Sequence, residues 1–175
     1  NIWGTQGVHP HEAEEFTDAT AAEILQHGHD DKIVAVGEIG LDYFYDHADR
    51  NVQKKVFERQ LELAVELDKP IVVHTREADD DTRAILSNFS DHLKKKGVIH
   101  SFTSGLALAE YCLAEGFMLG FNGIITFNRA DNVREVLDAY IESERGDEAG
   151  PLFTSKTGGR LDQSNVYRAL QAIAK

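Results

Sequence analysis

The sequence holds a single cysteine, Cys112, so no disulfide can form within the chain. A fold without covalent staples and a cytoplasmic home are expected. Long hydrophobic runs are missing too. No apolar stretch approaches the ~18 residues that a membrane-spanning helix needs, so no membrane partner is expected. Positive charge is scarce: 18 Lys and Arg face 30 Asp and Glu, a formal net charge of -12. That balance excludes broad electrostatic attraction to nucleic acid or an anionic bilayer. No internal repeat, heptad series or low-complexity tract is present. The opening residues NIWGTQGVHPH lack the basic and apolar regions of a signal peptide.

What is present is ordinary for a globular chain: 42% hydrophobic and 27% charged residues, which excludes disorder as the global state. A length of 175 residues suits one domain, or one domain with a small addition. The charge is unevenly spread. Residues 1–138 carry 25 acidic and 13 basic side chains, residues 139–175 five of each, and all eight histidines lie in the first 100 residues. We therefore expect a first domain over 1–138 and an appendage over 139–175.

The first part alternates strand and helix. IWGTQG (2–7) reads as a strand, and Thr20 as the cap of a short helix through Leu25. IVAVG (33–37) reads as a buried parallel strand. A helix over about 49–68 shows a stripe of Val52, Val56, Leu63 and Leu67, and Lys69-Pro70 ends it. Ile71-Val72-Val73 starts a third strand, and a helix follows over about 80–93. Lys94, Lys95 and Lys96 then oppose the negative end of that helix dipole. Val98-Ile99 is a short strand, 106–114 a helix stopped by Gly116, FMLGFN (117–122) a strand and 131–142 a helix. Strands separated by single helices imply right-handed βαβ units and a parallel sheet. After Pro151 the tail reads as a hairpin and a helix.

Three of these strands run into metal-binding residue types. IVAVGE ends in Glu38, IVVH in His74 and VIH in His100. In parallel α/β folds the C-terminal strand ends form the rim of the active site. Imidazole and carboxylate are the usual ligands of a hydrolytic divalent metal. A single histidine at a strand end is usually a hydrogen-bonded structural residue; three such placements in succession put a shared metal site level with that reading. His9 and His11 flank Pro10 after the first strand. Arg76 sits two residues past His74, where a fixed guanidinium can take a phosphate oxygen. His11 and Asp42, taken alone, read as solvated loop residues, and His27, His29, His47 and His92 as solvent-exposed.

GVHPHEA (7–13), GEIGLDYFYD (37–46), VFERQLELAVELDKPIVVHTREA (56–78), IHSFTSG (99–105) and GFMLGFNGIITF (116–127) together resemble the TatD family of metal-dependent deoxyribonucleases. The resemblance runs over about 1–138. It implies an α/β fold, here a partial (β/α)₈ TIM barrel of about five consecutive βα units. It also implies phosphodiester hydrolysis of DNA with divalent cations (Mg, Mn or Zn), up to two in an intact site. By the same resemblance Glu38 matches the bridging carboxylate ligand and His74 and His100 the two later histidine ligands. His9 matches the histidine near the metals and the substrate phosphate, where Arg76 also belongs.

Two family features have no counterpart in the sequence: the Asp-x-His-x-His motif of the first strand, and the late Thr-Asp-Ala-Pro strand whose aspartate is a metal ligand and base. The catalytic base is therefore unassigned. The reading is of an incomplete copy, its activity open, with exposed barrel edges that invite self-association. The acidic balance favours ends or single strands over a long DNA groove. PLFTSKTGGRLDQSNVYRAL (151–170) resembles a stretch of the tyrosine recombinase (phage integrase) domain that carries none of its catalytic residues. Two alternatives stay open: an amidohydrolase-type hydrolase of another ester or C–N bond, and a non-catalytic truncated fusion product.

Overall fold

Every second element of the chain adds one strand to the same edge of one growing sheet. The computed structural model describes residues 2–142. Strands β1 (Gly4–Gln6), β2 (Ile33–Asp42), β3 (Ile71–Arg76), β4 (Gly97–Ile99) and β5 (Met118–Leu119) lie in chain order, and every neighbouring pair is parallel. Helices α1 (Asp18–Gly28), α2 (Arg50–Leu67), α3 (Asp79–Phe89) and α4 (Leu106–Ala114) make the crossovers, and α5 (Asp131–Tyr140) follows. This is the α/β arrangement of consecutive βα units in a (β/α)₈ barrel, as expected. The tail after residue 142, including the segment that resembles a recombinase, lies outside the described residues.

The helix boundaries follow local chemistry. Thr17, not Thr20, caps α1: its hydroxyl accepts from the Thr20 N–H at 3.2 Å, and the Thr20 hydroxyl accepts from the Thr17 N–H at 3.3 Å. Thr20 thus sits in the first turn as the reciprocal half of a capping box. Asp49 caps α2 through two backbone N–H groups, and Asp68 ends it in the left-handed conformation at φ 50°. Helix α3 ends earlier than its expected span, passing into a 3-10 turn over Ser90–His92. Of the three lysines beyond it, Lys96 serves this helix end as expected, whereas Lys95 serves the end of α2. Lys96 Nζ donates to the Ser90 carbonyl at 2.5 Å and Lys95 Nζ to the Asp68 carbonyl at 2.9 Å.

The strands differ from expectation in length. β2 runs five residues past Gly37 to Asp42, because its second half pairs with β3 as Gly40↔His74, Leu41↔Thr75 and Asp42↔Arg76. Gly40 is obligatory there. Its φ is +136°, and a Cβ would lie 1.9 Å from the His74 carbonyl oxygen. β5 shrinks from the expected FMLGFN to Met118–Leu119. Gly120 extends its ladder by donating to the Ile99 carbonyl at 2.9 Å.

Helices and sheet close over a core that includes Ile39, Leu41, Phe57, Leu61, Ile71, Val73, Leu86, Ile99, Phe102 and Phe117, all at most 2% exposed. Each such side chain contributes about 1.5–3 kcal/mol by leaving water. Two glutamines interrupt the buried face of α2. Gln60 accepts from the Val8 N–H at 2.6 Å and donates to the Val8 carbonyl at 3.0 Å. Gln53 accepts from the Asp42 N–H at 2.8 Å and donates to the carbonyls of Asp42 and Ala48. Seven residues apart, two turns of helix, they clamp the chain beside His9 and at Asp42.

Candidate metal centre

β1 delivers the Val8-His9-Pro10-His11 loop to the C-terminal side of the sheet, where His9 caps a 3-10 turn over Pro10–Glu15. β2 carries Glu38 and Asp42, and β3 carries His74. Donor atoms of His9, Glu38 and His74 all lie within 4.8 Å of one another, and these residues form the one such group among the described residues. Within it, His74 Nδ1 and Glu38 Oε1 lie 3.2 Å apart. Glu38 and His74 lie within their strands rather than at the ends, because β2 and β3 are longer than their apolar runs.

Asp42 corrects the reading of a solvated loop residue. Its side chain is 0% exposed. Oδ2 lies 2.8 Å from His74 Nε2 and 3.0 Å from His11 Nε2, and Oδ1 accepts from the N–H groups of Phe44 and Tyr45. It shares a residue parity with Glu38 in the strand text GEIGLD, the only sequence signal that pointed inward. The arrangement is a carboxylate that orients a histidine from behind while the other ring nitrogen faces the donor group.

Charge follows this geometry. Burial opposes protonation of His74, but the Glu38 and Asp42 carboxylates outweigh it and hold the ring above its ordinary pKa. His9 is lowered, by burial first and then by the rings of His74 and His11, which favours the neutral imidazole that binds metals. The hydrogen bond with His74 lowers Glu38 despite burial, with help from His100. Burial works against the Asp42 carboxylate, yet the Tyr45 N–H, His74 and His11 together keep it below the usual range. Every acidic donor is thus held ionised.

The model of the TatD related DNase family matches residues 1–174. The chain belongs to the TatD DNase family. It is 36% identical over 136 residues to the uncharacterized metal-dependent hydrolase YabD of Bacillus subtilis, covering 78% of this chain and 53% of that protein. It is 39% identical over 136 residues to the 3'-5' ssDNA/RNA exonuclease TatD of Erwinia tasmaniensis, covering 77% and 52%. The crystal structure of YJJV, a TatD homolog from Escherichia coli, matches at a TM-score of 0.71 and 34% identity, over 77% of this chain and 52% of that one. This TatD-family chain spans about half the length of the curated relatives it matches.

The donor set fits a divalent cation. Ligand bonds near 2.0–2.2 Å put two donors of a tetrahedral ion about 3.3–3.6 Å apart, so donors within 4.8 Å of one another close around one ion with shifts on the order of an ångström. His9, expected near the phosphate, stands in this group. His100 follows β4 and is exposed; its N–H donates to the Val73 carbonyl at 2.7 Å. Its ring lies outside the group, yet close enough for its charge to act on Glu38. Arg76 closes β3, its guanidinium 3.9 Å from the Phe44 ring centroid and 4.8 Å from that of Tyr45. Beyond the strands, Glu77 (φ 53°) and Ser101 (φ 46°) take left-handed backbone, the kind of strain that gathers at functional sites. His47, read as exposed, is so, and stacks on Tyr45 at 5.7 Å.

Proposed function

We propose that this TatD-family chain is a metal-dependent phosphodiester hydrolase acting on nucleic acid, with single-stranded ends as its substrate. The observation that carries the reading is the convergence of His9, Glu38 and His74 on one face, backed by the buried Asp42. His9, Glu38 and His74 hold the cation, and His100 is the further ligand that the family resemblance implies. Two imidazoles beside one carboxylate suit Zn²⁺ or Mn²⁺ better than Mg²⁺, which prefers oxygen. Bound there, the cation supplies Lewis-acid polarisation of a phosphoryl oxygen and an activated water. Asp42 fixes the His74 ring, Gln53 fixes Asp42, and Arg76 orients the phosphate with a planar, permanently charged group.

The full chain with Mn²⁺ or Zn²⁺ is expected to shorten a labelled single-stranded oligonucleotide, and chelation to stop it. Cleavage of a dihydropyrimidine-type amide with inertness on every phosphodiester would move the protein to the amidohydrolase reading; inertness on both would leave the non-catalytic one. A single buried thiol, Cys112, supports a cytoplasmic setting. Residues 139–175 are proposed as a separate appendage on the charge shift near residue 139, a reading that the family match to residue 174 opposes. Self-association through the sheet edges is proposed from Ile2 and Met118, 88% and 66% exposed; sedimentation of a single monomeric species at micromolar concentration would rule it out.

A further inference from the structure

A cavity of about 710 Å³ opens beside the donor group and shares His74 with it. This is within the usual range for small-molecule sites, about 300–1,000 Å³. Its walls combine two features that a solvated surface of this protein does not predict. Three large aromatic side chains stand half or more in solvent: Phe44 at 50%, Tyr45 at 51% and Phe127 at 62%. Two arginines, Arg76 and Arg129, face a single lining acid, Glu77, in a chain where acids outnumber bases 30 to 18. Among the described residues, neither guanidinium lies within 4.0 Å of a carboxylate. Arg50, Arg59 and Arg134 do find such partners, and Arg83 instead lies over the Tyr111 ring.

The aromatic wall is built, not loose. Asp42 Oδ1 accepts from the N–H groups of Phe44 and Tyr45 at 3.1 and 2.9 Å, so one buried carboxylate orients His74 and fixes the aromatic loop together. The Arg76 guanidinium stands over both rings, 3.9 Å from the Phe44 centroid and 4.8 Å from that of Tyr45, although the rings are set edge-to-face. Planar hydrophobic faces interleaved with unpaired cations are complementary to planar rings joined by anions, which is the chemistry of nucleotides. A paired base keeps its faces inside the duplex stack and cannot enter such a cavity.

We propose that this cavity seats an unpaired nucleobase adjoining the phosphate at the metal centre, with Phe44 and Phe127 as stacking surfaces and Arg76 and Arg129 on the flanking phosphates. The proposal rests on the nuclease reading and deepens it: the cavity selects single strands without selecting sequence, because every base has a π-face.

The test measures binding in EDTA, so that no cation or turnover contributes. Fluorescence anisotropy of the full chain compares labelled dT₅, U₅ and an abasic pentamer with the same phosphates. Stacking of a base predicts that dT₅ or U₅ binds about tenfold or more tightly than the abasic strand. Phe44→Leu and Phe127→Leu, which keep apolar bulk but lose the flat face, bring the base-containing strand close to the abasic one. Arg76→Ala weakens all strands alike. Equal affinity of base-containing and abasic strands for the wild-type chain overturns the proposal, as does full base discrimination in both leucine variants with unaltered thermal melts. A separate assay with Mn²⁺ divides the two readings. Base discrimination without hydrolysis sustains the cavity and removes the nuclease; hydrolysis without base discrimination removes the cavity alone.

Discussion

β2 and β3 pair from Val36↔Ile71 through Asp42↔Arg76, whereas β4 and β5 meet only at Val98↔Met118 and Ile99↔Leu119. Both pairs obey the same parallel scheme, and both rest on buried apolar side chains. The long pair carries Glu38, Asp42 and His74, the groups whose mutual geometry must hold. The short pair leaves its chain to the loops that line the cavity, where Ser101, Phe127 and Arg129 stand. The candidate ligands Glu38 and His74 stand on the pair with the longer ladder, and part of the cavity wall follows the pair with the shorter one.

Glycine substitutions separate the two pairs most strongly. Gly40→Ala on β2 forces a Cβ to 1.9 Å from the His74 carbonyl in a backbone of φ +136°. Gly120→Ala beyond β5 meets nothing closer than 3.4 Å. Urea denaturation is expected to show a loss above about 4 kcal/mol or outright unfolding for the first, and under about 1 kcal/mol for the second. Equal losses would mean that the two pairs bear the fold alike.

Cys112 on α4 reports on the short-pair half. Burial pushes its thiol from 9.0 up to about 12. At pH 8 a thiol reagent should react about a thousandfold more slowly with the native chain than in urea, since only thiolate attacks. The sign for stability follows from the native state holding this proton more tightly than the unfolded chain. The contribution is complete below 9.0 and declines as pH rises toward about 12. Rapid native labelling at pH 8 would show that α4 opens freely.

Gln53→Ala removes the partners of the Asp42 N–H and carbonyl and of the Ala48 carbonyl. It is expected to cost about 1–3 kcal/mol of stability and to loosen the His74 ring. Smallest of all, Met118→Lys, at a side chain 66% exposed on β5, should shift stability by no more than about 0.5 kcal/mol.

These contrasts mark how far the sequence could be read. Helix α4 and the span of α2 were legible because apolar spacing and the breakers Gly116 and Lys69-Pro70 are local signals. So were Glu38 and His74, which stand beside continuous apolar runs. Asp42, Gln53 and Gln60 were not: each is a buried polar group satisfied across an element boundary, Gln60 by Val8 52 residues away, Asp42 by His74 32 away and Gln53 by Asp42 11 away. Periodicity counts such residues as gaps in a stripe. The length of β5 escaped for the opposite reason. FMLGFN is apolar enough for a buried strand, but pairing depends on the length of β4, which is three residues.

If the long strand pair and the β1 loop hold one divalent cation through His9, Glu38 and His74, calorimetric titration of the full chain with Mn²⁺ or Zn²⁺ gives one saturable site. Affinity then falls about 10–100-fold in Asp42→Asn, where only the support of a ligand is lost; binding disappears in His74→Ala and is unchanged in Phe127→Ala at the cavity rim. Wild-type affinity in His74→Ala would show that the cation, if bound, sits elsewhere.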